Sequence, residues 1–119
     1  MAVFYTLNGI TFVWDAEKAQ LNIQKHEGVT FQQAAEAFFD PFLIVVDASR
    51  NDEFRDAVIG LDTKWNLLFV VHIEREDEMI QIISARKATR QERDQYEVSR
   101  SQKTIRQKSS DDNNYNADA

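Results

Sequence analysis

Three β-prone runs crowd together between Arg55 and Ser84: Arg55 to Asp62, Leu67 to Glu74 and Met79 to Ser84. The connections between them, Thr63 to Asn66 and Arg75 to Glu78, are too short to hold a crossover helix. Strands joined this tightly pair antiparallel, because a parallel neighbour needs a connection of about a dozen residues or more. Along the middle run Phe69, Val71 and Ile73 alternate with Leu68, Val70 and His72, so each set belongs to one face of a sheet. A second hairpin opens the chain. Val3 to Leu7 and Ile10 to Trp14 flank Asn8-Gly9, and that dipeptide suits a type I′ turn with positive φ at both central positions. Phe42 to Asp47 reads as a further strand, mostly apolar and so expected to be buried on both faces, and Ala48 to Phe54 as a polar loop.

Helical signals lie between and after these runs. Asp15 is a candidate N-cap, followed by Ala16, Ala19 and Ile23 at helical spacing, and Gly28 fits the stop. Thr30 with Gln33 has capping-box spacing and leads an apolar stripe of Phe31, Ala34, Ala35 and Phe38, which Asp40-Pro41 ends. Thr89 with Glu92 has the same spacing and opens a basic helix expected to end near Ser99. Apolar residues then become scarce through Ala119, the composition of a disordered tail. The order predicts an α+β fold: an antiparallel sheet with two N-terminal helices and one C-terminal helix in a domain over residues 1–100, and a disordered polar tail over 101–119.

Composition narrows the function. The chain has 119 residues and no cysteine, which excludes disulfides and thiolate metal sites. It opens without a charged and then apolar leader and has no apolar run long enough to span a bilayer, so a cytoplasmic location is expected. The net charge of −6 disfavours a nucleic-acid partner over the whole surface. The charges are not evenly spread: residues 1–83 carry six Lys/Arg against fourteen Asp/Glu, and residues 84–108 carry eight against three. A basic segment on an acidic body can form a local anion site, bind a charged partner or simply be a solvated helix face. There is no P-loop, GxGxxG, HExxH or GxSxG pattern, so neither nucleotide cofactors nor zinc hydrolysis has support.

Several side chains carry chemistry. Lys25-His26 falls at a helix end. His26 can act as general acid or base near neutrality with Lys25 holding a phosphate close, or the pair can serve the helix dipole. Ser84-Ala85-Arg86-Lys87 lies where the last strand hands over to a helix. There backbone N–H groups with Arg86 and Lys87 make an anion site or a basic turn. Arg55 matters if the sheet brings it near Arg86. His72, between Leu68 and Val70, reads as a core residue, and Trp14 and Trp65 as core or turn packing. Glu74, Glu76, Asp77 and Glu78 lack the pattern of a calcium loop and read as a solvated turn.

These pieces, in this order, resemble the BrnT toxin family, which shares the RelE-like fold. The matching stretches are Phe12-Val13-Trp14-Asp15 with Lys18, Asn22 and Lys25-His26; Gly28-Val29-Thr30-Phe31 with Ala34, Ala35, Phe38 and Asp40-Pro41; Arg55 with Ile59-Gly60; and Ile82 to Ala88 with Glu92 and Tyr96. The resemblance implies a metal-independent ribonuclease without cofactor that arrests growth. It also implies neutralisation by a BrnA-like antitoxin, DNA contact only through that antitoxin, and a heterotetramer. Read onto this chain, His26 would be acid or base, Arg55 and Arg86 would stabilise the phosphate, and Lys25, Ser84, Lys87 and Arg90 would help hold RNA, with Glu36 a weaker candidate base. The chain departs from the family pattern at Glu27, an added residue before Gly28, and at Asn51, Gln81 and His72. His72 is the candidate to stand in for a lost histidine. A toxin fold kept only for antitoxin binding is the alternative reading.

Overall fold

The computed structural model describes the backbone of residues 1–117 and the side chains of residues 1–104. Six strands form one sheet in the order β1-β2-β6-β5-β4-β3. The strands are β1 (Ala2–Leu7), β2 (Ile10–Asp15), β3 (Ile44–Asp47), β4 (Asp56–Leu61), β5 (Leu67–Glu74) and β6 (Ile80–Lys87). Helices α1 (Ala16–Lys25) and α2 (Phe31–Ala37) lie between β2 and β3, and α3 (Arg90–Ala117) follows β6. The α+β class agrees with expectation. The all-antiparallel sheet does not, because β2 pairs with β6 in parallel, over Phe12 with Ile80 and Val13 with Gln81 only. Two helices and three strands separate these partners in the chain, so no short turn could announce the pairing.

Local chemistry explains the elements. Asn8 and Gly9 adopt φ of 50° and 82°, as a type I′ hairpin needs. Asp15 caps α1 by accepting from the Lys18 amide at 3.0 Å. Thr30 and Gln33 form a reciprocal capping box at α2, and Thr89 and Glu92 form one at the start of α3. With no Gly or Pro after Gly60 to break it, α3 continues beyond Ser99 to Ala117. Lys103 there still donates to the Leu43 carbonyl at 3.4 Å. The tail expected over 101–119 falls mostly on residues outside the described side chains.

Two hydrophobic clusters sandwich the sheet. On one face Phe12, Trp14, Val58, Leu68, Val70, Ile82 and Ala85 pack against Phe31, Ala34, Ala35 and Ala37 of α2. On the other, Ile59, Leu67 and Phe69 meet Tyr96 of α3. The Tyr96 hydroxyl donates to Asp40 at 2.6 Å, and Asp40 also accepts from the Leu61 and Phe42 amides. Burial and the Asp40 carboxylate push the Tyr96 phenol well above its ordinary pKa, so it stays a hydrogen-bond donor. Strand β3, expected to be doubly buried, is an edge strand instead. Its residues alternate half-buried and exposed, because α2 stops short of covering it. Trp14 is buried, whereas Trp65, expected to pack in its turn, is 79% exposed.

Gly60 marks a close approach. A Cβ built there would sit 2.5 Å from the Ala37 carbonyl oxygen at the end of α2. Gly60→Ala is expected to destabilise the fold by about 1–3 kcal/mol through overpacking, read as a lower denaturant midpoint with unchanged slope.

One irregularity positions the site. Opposite β5, Val71 pairs with Ser84 and His72 with Ile82, so Ile83 is an extra residue and β6 carries a bulge there. Before it, Ile82 points to the α2 face. After it, Ala85 takes that face, and Ser84 and Arg86 pass to the α3 face beside Val71 and Phe69.

Candidate functional site

Beyond its two pairs with β2, strand β6 has no strand neighbour on that side. Asn22 of α1 takes the place of one. Its carboxamide Nδ2 donates to the Ala85 carbonyl at 2.7 Å, and its Oδ1 accepts from the Ala85 amide at 3.0 Å. The same Nδ2 donates to the Val29 carbonyl at 3.1 Å. A buried polar side chain is tolerated when it is satisfied in this way. Asn22 lies one turn before His26, so anchoring it to Ala85 brings His26 beside Arg86. The His26 amide, at the C-cap of α1, donates to the Asn22 carbonyl at 2.9 Å. Glu27, the added residue, takes φ of 55° and Gly28 follows at 82°. The Gly28 amide reaches the Ile23 carbonyl at 2.9 Å, which closes the helix as a Schellman turn with Glu27 in the left-handed position glycine usually fills. The extra residue is therefore absorbed after His26.

Two adjoining hollows share His26 and Arg86. The larger, of about 520 Å³, has Phe69, Val71 and Ser84 on its floor and Arg50 and Arg55 on a wall formed by the β3–β4 loop. The smaller, of about 360 Å³, is lined by Lys25, His26, Arg86 and Lys87 among others. Lys25, His26, Arg55, Ser84, Arg86 and Lys87 thus converge on one cleft. Arg90, the first residue of α3, is exposed and lines neither hollow.

Arg86 is held on several sides. Its guanidinium lies 4.2 Å above the centre of the Phe69 ring. It donates through Nη1 and Nη2 to the two carboxylate oxygens of Glu92 at 2.7 and 2.9 Å, and through Nη1 to the Lys87 carbonyl at 3.2 Å. The hydrogen bond to Glu92 raises the Arg86 pKa further, so the charge is permanent. Arg55 donates from Nη2 to Glu53 at 2.8 Å, while its Nε is buried without an acceptor among the described residues. The wall also carries Asp47, whose carboxyl is held below its ordinary pKa by hydrogen bonds from the Ser49 hydroxyl and amide. Lys87 reaches Glu27 at 3.6 Å. The cleft combines a half-buried imidazole with several fixed cations and suits a phosphodiester.

Some expectations are corrected. Arg86 and Lys87 are the end of β6, not the start of a helix, so their backbone amides belong to the strand and only their side chains serve an anion. His72 cannot stand in at the cleft. It is buried on the α2 face with its ring 4.8 Å from Phe38, and its Nδ1 is 3.3 Å from the Val70 carbonyl. Glu36 accepts from the Thr63 amide and hydroxyl at 3.1 and 3.0 Å, away from the cleft, and ties α2 to the β4–β5 turn. Sequence reasoning passed over Arg50 and gave no role in the site to Phe69, Asn22 or Glu92. Arg50 had a weak signal, a cation in a polar loop between strands. Asn22 and Phe69 depend on partners far along the chain, and Glu92, six residues from Arg86, had a local role as a helix cap that accounted for it.

No helix is long and apolar enough to cross a membrane among the described residues. A search of curated proteins finds no significant match. Residues 14–92, more than half of the chain, match the family described as ribonuclease toxin, BrnT, of type II toxin-antitoxin system. That span includes Asn22, His26, Arg55, Arg86 and Glu92, so the convergence on one cleft and the family match concern the same residues, and the chain belongs to the BrnT family of type II toxin-antitoxin ribonuclease toxins.

Proposed function

We propose that the cleft cleaves RNA with its own side chains and no metal ion. The observation carrying this reading is that His26, Arg55 and Arg86, supplied by separate segments, line one hollow. In such a cleavage the ribose 2′-hydroxyl attacks the adjacent phosphorus as a base removes its proton. The bond to the 5′-oxygen breaks as an acid protonates it, leaving a cyclic phosphate. His26 is the group for one of these transfers. Arg55 and Arg86 stabilise the charge gathering on the phosphate, Lys25, Ser84 and Lys87 hold the backbone, and Arg90 meets the strand outside the cleft. The protein acts in the cytoplasm and arrests growth until a BrnA-like antitoxin covers it in a heterotetramer, and it meets DNA only through that partner.

Purified protein given an oligoribonucleotide in the presence of a chelator tests this. His26→Ala is expected to lower the cleavage rate by about 10²–10⁴-fold, with a smaller change in RNA affinity. A folded wild type that binds antitoxin tightly but leaves RNA intact would establish the binding module instead.

A further inference from the structure

Glu92 does more than cap a helix. Its carboxylate takes both Nη groups of Arg86 and also accepts from the Thr89 amide at 2.9 Å. That uses the end-on edge of the guanidinium, and the Lys87 carbonyl takes the other Nη1 proton. No described residue accepts from Nε or from the second Nη2 proton of Arg86. Those two N–H groups form the side-on edge of the fork, which matches two oxygens of a phosphate. With the Phe69 ring fixing the guanidinium plane from below, Glu92 determines which edge faces the cleft. We propose that Glu92 is a positioning residue, which holds Arg86 so that its Nε/Nη2 edge is presented to the scissile phosphate. The inference rests on the cleft's being the RNA site. It implies that docking of the first turn of α3 and assembly of the phosphate site are one event.

The experiment compares Glu92→Gln with Tyr96→Phe. An amide at position 92 can accept from one Nη but turns its own N–H groups toward the other, so Arg86 loses its fixed orientation. Tyr96→Phe removes the hydroxyl that α3 donates to Asp40 and loosens the docking of the same helix, at a residue that lines neither hollow, leaving the Arg86–Glu92 pair intact. Both variants are assayed for thermal unfolding, for cleavage, and for binding of an oligonucleotide with a 2′-deoxy substitution at the cleavage position. Glu92→Gln is expected to lower cleavage on the order of 10²-fold, as a misplaced group does, and to weaken binding, while Tyr96→Phe unfolds earlier yet cleaves and binds like the wild type. Tighter binding or faster cleavage by Glu92→Gln would make Glu92 a mask over Arg86 and overturn the proposal. Losses in the two variants that simply follow their stabilities would overturn it too. Failure of the wild type to cleave would count against the proposed function, and the binding comparison would still decide the role of Glu92.

Discussion

Arg86→Ala is expected to reduce RNA cleavage by about 10²–10³-fold, the usual cost of removing a preorganised donor from a developing oxyanion. Arg86 lies in both halves of the cleft and is oriented by Phe69, Glu92 and the Lys87 carbonyl. Its orientation is therefore in place before substrate arrives, and little reorganisation is left for the reaction. The loss should fall mainly in kcat. Arg86→Lys is the companion variant. It keeps the charge and most of the packing but has no planar fork, and it should recover only a small part of the rate. Cleavage kinetics beside thermal unfolding separate a site effect from a folding effect. Full activity in a folded Arg86→Ala protein would remove Arg86 from the mechanism.

Asn22→Ala is expected to be the most damaging single truncation away from the cleft surface. It would leave the Ala85 amide, the Ala85 carbonyl and the Val29 carbonyl without their partner. A buried polar group left unsatisfied costs about 1–3 kcal/mol, and with partial relaxation the sum should come to about 3 kcal/mol. That is a large share of the stability of a small domain. Asn22→Asp discriminates well. It is nearly the same shape and can still accept from the Ala85 amide, but it cannot donate to either carbonyl and should be about as harmful. Chemical denaturation reads both. Because Asn22 also holds the end of α1 against β6, variants that remain folded should cleave RNA more slowly.

Local rules were legible in this sequence and long-range pairings were not. Asn8-Gly9, Asp15, Thr30 with Gln33, and Thr89 with Glu92 each act within a few residues of themselves, and each does in the structure what its chemistry demands. The alternation along β5 placed His72 in the core, since period two depends on nothing outside the strand. The parallel pairing of β2 with β6 and the edge position of β3 depend on which strands meet, and no short motif encodes that. The site follows the same division. His26, Arg55 and Arg86 could be named from side-chain chemistry and from resemblance. That Phe69 supports Arg86, that Arg50 joins the wall and that Asn22 substitutes for a strand emerged only once distant segments were adjacent.

The bulge at Ile83 makes the cleft depend on parity. A strand assigns its side chains to faces by counting, odd to one side and even to the other, and one surplus residue reverses the assignment for everything downstream. Deleting Ile83 would leave His72 opposite Ile82 and Val71 opposite Ser84 as consecutive pairs, so the strand would straighten with Ser84 and Arg86 still on the cleft face. Deleting Ala85, on one side of the bulge, would also preserve the chemical identity of every proposed site residue, yet either Arg86 would be sent to the apolar α2 face or the strand would be forced out of register with β5. Relatives of this toxin could therefore be silenced by a change of length as thoroughly as by a change of residue, with each signature side chain still in its proper order.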